Sequence, residues 1–230
     1  EDVLGFLYDY CSRERMRISR EEGNPARLVL NDDGRQALLA TIKNVSWPLY
    51  DREFVCRLFW WKEASGAFYF GTVSVDDVID YGMSTKTVRG SAINIMKLEP
   101  FGEVGEDGTH TQCRVEFTQR LDAGGFLPVW FVNSLVHTSL SVITDARSAF
   151  SRDDDVDKEE TARLLRCMDN SAGEIYSGEE RTAIDSIRNL AAAAQTTLTP
   201  MESPSKFVKM KKSVVEGEKN NTGYAQVTLD

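Results

Sequence analysis

Residues 119–150 read QRLDAGGFLPVWFVNSLVHTSLSVITDARSAF, and the fold turns on this stretch. Gly124-Gly125 frees the backbone, and Pro128 stands where a first helical turn tolerates a missing N–H. Val132, Leu135, Val136, Leu140, Ile143 and Phe150 then recur at helical spacing, opposite Asn133, Thr138, Ser141, Thr144, Asp145 and Ser148. The spacing predicts one amphipathic helix over 128–150.

Upstream of it the period changes from helical to alternating. Residues 111–120 place Cys113, Val115 and Phe117 on one face and Gln112, Arg114, Glu116 and Thr118 on the other, the mark of a half-buried strand. Within 52–61, Phe54, Cys56, Leu58 and Trp60 make a wholly apolar face. Further strands are predicted over 36–45, 67–75 and 85–98. The turn signals Gly23-Asn24-Pro25 and Asn31-Asp32-Asp33-Gly34 frame a short strand at 27–30, which reads as half of a hairpin. The chain opens on a helix whose apolar positions are Val3, Leu4, Leu7, Tyr8 and Cys11.

Downstream, the acidic run 151–160 changes the composition and predicts a domain border near 151. Ser177 and Glu180 stand at capping-box spacing before Ile184, Ile187, Leu190 and Ala194, and Pro200 ends that helix. Two strands, 206–215 and 223–229, follow around a turn at 219–222.

A chain of 230 residues with 41% apolar and 10% aromatic content folds for most of its length. A net charge of −9 argues against a nucleic-acid partner. The four cysteines, Cys11, Cys56, Cys113 and Cys167, lie far apart in sequence and form no metal-ligand pair, which points to a reducing, cytoplasmic setting. No run of about 18 apolar residues is present to span a bilayer, so membrane contact is expected to be local. Asp153, Asp155 and Asp157 imitate the start of a calcium loop, but Lys158 and Leu164 stand where it needs glycine and glutamate. His110 and His137 have no nucleophile or ligand at a telling interval, and the glycines at 102, 105 and 108 read as a hairpin loop. Lys206, Lys209, Lys211 and Lys212 read either as a headgroup contact or as a lysine-protected edge strand. No catalytic residue, cofactor or metal is implied.

Several pieces, in order, resemble the START (steroidogenic acute regulatory protein related lipid transfer) family. They are Trp47-Pro48 with Arg52-Glu53-Phe54-Val55, Phe70 to Ser74-Val75, Val88-Arg89-Gly90, Leu98-Glu99-Pro100, and Gln119 with Asp122, Gly125, Pro128 and Asn133. Glu53 departs from the family's aspartate, and Arg15-Met16 stand where many members carry tryptophan-aspartate. The resemblance implies an α+β helix-grip fold, an antiparallel curved sheet wrapped around a long C-terminal helix, enclosing an apolar tunnel for one lipid. On that reading Phe54, Cys56, Leu58, Val115 and Phe117 wall the tunnel, Val132, Leu135, Val136, Leu140 and Ile143 floor it, and helix 128–150 closes it. The partner is a lipid of the sterol, phospholipid or sphingolipid class. The rivals are a cyclase-type enzyme on the same fold, betrayed by a pocket histidine, arginine or tyrosine of shifted pKa, and a scaffold or regulatory module without transfer activity. Residues 1–150 then form a START-like domain lacking its first strands. Residues 151–230 are an acidic linker, helices and the opening strands of a second such domain, or a permuted completion of the first sheet, or a tail.

Overall fold

The computed structural model describes residues 2–45, 48–104, 108, 110–125, 127, 136, 139–150, 158–171, 176–203, 205–213 and 221–229. Two short helices, α1 (Asp2–Tyr8) and α2 (Arg13–Glu21), precede seven strands: β1 (Ala26–Leu30), β2 (Gln36–Lys43), β3 (Asp51–Lys62), β4 (Phe68–Ser74), β5 (Thr87–Arg89), β6 (Ser91–Val104) and β7 (His110–Asp122). Helices α3 (Val142–Phe150), α4 (Lys158–Ser171) and α5 (Gly178–Thr197) lead to β8 (Thr199–Met201), β9 (Lys209–Lys212) and β10 (Asn221–Leu229).

These strands form one sheet in the order β1-β2-β3-β4-β6-β7-β10-β9-β8, antiparallel along that path, with β5 parallel to β3 beside it. The C-terminal strands therefore belong to the same sheet as those before residue 150. Strand β10 pairs with β7 from Asn221↔Leu121 to Leu229↔Cys113 and carries β9 on its other side.

The alternation seen in the sequence sorts side chains onto two faces. Inward, Leu39, Leu58, Trp60, Phe70, Met96, Leu98, Val115, Phe117, Ala225 and Val227 join Leu4, Leu7 and Tyr8 of α1, Ile143 and Ala146 of α3, and Leu164 and Met168 of α4 in the main core. Outward, Phe59, Trp61 and Ile95 pack under Ile184 and Ile187 of α5. That helix begins at the expected capping box: Ser177 Oγ accepts from Glu180 N at 3.3 Å and Ser177 N donates to Glu180 Oε2 at 2.6 Å. It lies close because Gly71 has no side chain, a Cβ there falling 2.7 Å from Ile187 Cγ2. The architecture is thus α+β, a sheet gripping helices on its inner face.

Three expectations change and one helix is added. The strand predicted over 85–98 is two strands, β5 and β6, broken at Gly90, where a Cβ would fall 2.4 Å from Phe54 Cε1. Helix α2 was hidden by its arginines and glutamates, which leave no apolar stripe; Ser12 caps it, its Oγ accepting from Arg15 N at 3.3 Å. The strand predicted over 206–215 is confined to β9, because Ser203 and Ser205 hydrogen-bond into a turn before it. Nor are Lys211 and Lys212 on an edge, since β8 pairs outside them. Of the helix predicted over 128–150, Val136, Ser139, Leu140 and α3 are helical, while Val132, Leu135 and His137 lie outside the described residues, as do the aspartates at 153, 155 and 157.

Candidate functional site

A cavity of about 570 Å³ separates the inner face of the sheet from α1, α2 and the start of α3. Its size falls within the range of small-molecule sites. The β3 positions Phe54, Cys56 and Leu58 line it, as do Leu39, Phe70, Met96, Phe117 and Leu121 from neighbouring strands. Leu7, Tyr10, Arg15, Ile18 and Ser19 face them from the N-terminal helices and the link between them, with Ser139, Ser141, Val142 and Asp145 completing the wall.

The residues expected to hold a ligand divide accordingly. Phe54, Cys56, Leu58 and Phe117 reach the cavity. Val115, Val136, Leu140 and Ile143 are packed in the core beside it, Leu140 and Ile143 fully buried, and Val136 and Leu140 resting on the strand at Gly223. A core position and a cavity position share the same inner face, so periodicity alone does not separate them.

The cavity also carries a polar row that crosses three strands. The register sets Thr72 of β4 beside Asn94 of β6, and Asn94 beside Gln119 of β7. Asn94 Nδ2 donates to Thr72 Oγ1 at 2.6 Å. Asn94 Oδ1 and Gln119 Oε1 are buried and accept no hydrogen bond from a described residue. An orphaned buried acceptor costs about 1–3 kcal/mol, so two of them side by side in the wall of the cavity are a standing cost that a donor there would offset. Sequence reasoning missed both, although the signal was present: each continues the apolar face of its strand, Gln119 after Cys113, Val115 and Phe117, and Asn94 between Ala92 and Met96.

Charged groups gather where α2 approaches β1 and β2. Arg15 Nη1 donates to the carbonyls of Leu7 and Asp9 at 3.0 and 2.9 Å, and its guanidinium lies 4.8 Å from the Phe6 ring centroid. Burial, with the nearby charge of Arg27, pulls its pKa down to about 10. Arg27 donates through Nε to Tyr10 O at 2.7 Å and stacks over the Tyr10 ring at 3.7 Å. Lys43 pairs with Glu22 at 2.8 Å, and Arg52 Nε donates to Ala123 O at 2.7 Å. Burial raises the pKa of Asp145 against the pull of Arg15. Burial likewise raises Tyr10 and Cys56, the latter sharing a hydrogen bond with Ser74 Oγ at 3.5 Å.

A smaller hollow of about 360 Å³ lies on the outer face beside α5. Its polar groups already have partners, Arg188 pairing with Glu63 at 2.8 Å and Gln226 Nε2 donating to Glu116 Oε1 at 2.8 Å, and among the described residues it offers no orphaned atom. Among the described residues no cluster of histidine, cysteine and carboxylate side chains could hold a metal, and no helix is long and apolar enough to cross a membrane.

No protein-family model matches the chain, and no curated protein matches it. Among solved structures the chain is similar to the human StarD13 (DLC2) lipid transfer and protein localization domain, at 19% identity and a TM-score of 0.47, over 64% of this chain and 68% of that one. It is also similar to human STARD10, at 11% identity and a TM-score of 0.43, over 89% of this chain and 69% of that one.

Proposed function

We propose that the inner cavity binds one lipid, tail against the apolar strands and a hydrogen-bond donor on Asn94 and Gln119, and releases it chemically unchanged. The observation that carries this reading is the pair of orphaned acceptors set in an apolar wall. A hydrocarbon tail gains roughly 0.8 kcal/mol for each buried methylene, so four fewer methylenes weaken binding by about 3 kcal/mol, or roughly 200-fold.

A cyclase-type enzyme on this fold needs a cavity group poised to move a proton near neutral pH. Arg15 and Tyr10 line the cavity and are both shifted, but neither is brought near neutral pH. Tyr10 moves up, away from neutrality, and Arg15 at about 10 stays protonated. The thiol of Cys56 is also raised, which keeps it from acting as a thiolate nucleophile.

Native mass spectrometry of the purified chain tests the proposal. One lipid per chain, identical in mass before and after incubation, is the expected result. A product accumulating beyond one equivalent overturns the binding-only reading, and failure to retain any amphiphile overturns lipid binding itself.

A further inference from the structure

We propose, resting on the lipid-binding reading above, that Arg15 and Arg27 form an anion site where α2 meets β1, and that it holds the phosphate of a phosphomonoester lipid. Both residues line the cavity. Arg15 is anchored by two backbone carbonyls and the Phe6 ring, Arg27 by one carbonyl and the Tyr10 ring, and neither has a carboxylate within ion-pair distance among the described residues. Such anchoring fixes the direction of a guanidinium without spending its charge. Arginine's remaining N–H groups then present the fork that matches phosphate oxygens.

Two half-buried cations, with Arg27 close enough to help pull down the pKa of Arg15, are costly unless an anion joins them. Asp145 and Glu22 lie near, but Glu22 is taken by Lys43, and Asp145 is itself raised by burial. Asp9 stands beside Arg15 off the cavity wall. Counted along the wall, Arg15, Arg27, Lys43 and Arg52 face two carboxylates, an excess of two positive charges in a chain whose net charge is −9. A phosphomonoester carries about −1.5 to −2 at pH 7, which matches that excess; a fatty-acid carboxylate supplies half as much. A lipid with a glycerol hydroxyl and a terminal phosphate would satisfy the acceptors and the arginines together.

The test compares three monomeric lipids with one acyl chain: monooleoylglycerol, its 3-phosphate, and oleate, each titrated into the full chain at low and high salt. The phosphate lipid is expected to bind roughly tenfold tighter or more than the neutral one. That advantage should shrink as salt rises, and Arg27→Gln should abolish it while Arg27→Lys retains part. Equal affinity for the neutral and phosphate lipids overturns the anion site and leaves the lipid cavity standing. Tighter binding of oleate than of the phosphate lipid overturns the choice of phosphate. If no lipid binds, the cavity reading fails and this one with it. A preference undiminished in both Arg27→Gln and Arg15→Gln refutes the assignment to these arginines. Should those variants not fold, the three-lipid comparison on the unaltered chain still decides between the outcomes.

Discussion

Replacing Gln119 by methionine should make the lipid-free protein more stable and the lipid-bound one weaker. Methionine keeps the length of glutamine and adapts to an irregular gap, so the substitution removes the orphaned Oε1 with little change in volume. The removed desolvation cost is about 1–3 kcal/mol. In a chain of 230 residues each kcal/mol moves Tm by about 2–4 °C, so a mid-range gain of about 2 kcal/mol raises Tm by about 4–8 °C. The same change deletes the acceptor that meets the ligand's donor, and affinity should fall roughly tenfold, a typical loss for one hydrogen bond. Asn94→Leu is a less clean partner experiment, because it also breaks the 2.6 Å hydrogen bond to Thr72. Calorimetry on delipidated protein and titration with one lipid read the two effects separately. A Tm that stays level or falls, together with unaltered affinity, would show that Gln119 is neither orphaned in solution nor in contact with ligand.

Two further perturbations probe the frame and its chemistry. Gly223→Val places methyl groups where a bare Cβ already meets Leu140 Cδ1 at 3.0 Å and Val136 Cγ1 at 3.1 Å; overpacking of this kind costs about 1–3 kcal/mol, and limited proteolysis should then cut between β9 and β10 faster, whereas an unchanged digestion pattern would mean that β10 does not hold the helix against the sheet. Burial, with Glu99 adding to it, pushes the Cys113 thiol up to about 11, so at pH 8 its alkylation should run about two orders of magnitude slower than that of an ordinary thiol. Because the folded value is the higher one, Cys113 favours the fold below pH 9.0, and that contribution is lost as pH rises toward about 11. Rapid labelling of Cys113 at pH 8 in the folded protein would refute this.

Much of the frame was legible because it rests on local periods. The alternation in 52–61 and 111–120 reappears as β3 and β7, and the capping box at Ser177 and Glu180 starts α5 where expected. Boundaries failed where a tertiary contact overrode the local pattern. Gly90 reads as one more residue in a run rich in β-formers, yet it breaks the strand because the ring of Phe54 occupies the space a side chain would need. The pairing of β10 with β7 joins residues about a hundred positions apart, and no pattern within either strand distinguishes that partner from an equivalent strand in another copy.

The site was less legible than the frame for a related reason. Apolar residues on an inner face read as tunnel wall, but burial within a core and exposure to an internal cavity impose the same composition, so Val115 and Phe117, two positions apart on β7, differ only in what stands opposite them. The polar residues carry more information. A strand whose inner face runs Cys113, Val115, Phe117, Gln119 breaks its own rule at the last position, and a buried amide persists against its cost only where something accepts or donates to it. Arg15 obeys the same logic on a helix. Among the charges of α2 it reads as one more solvated side chain, yet it turns inward, tied to Leu7 O and Asp9 O, while Arg17 pairs with Glu14 and Glu21 in solvent. What separates the two arginines is that Arg17 meets carboxylates within ion-pair distance while Arg15, among the described residues, meets none, which is why the proposed anion is assigned to it.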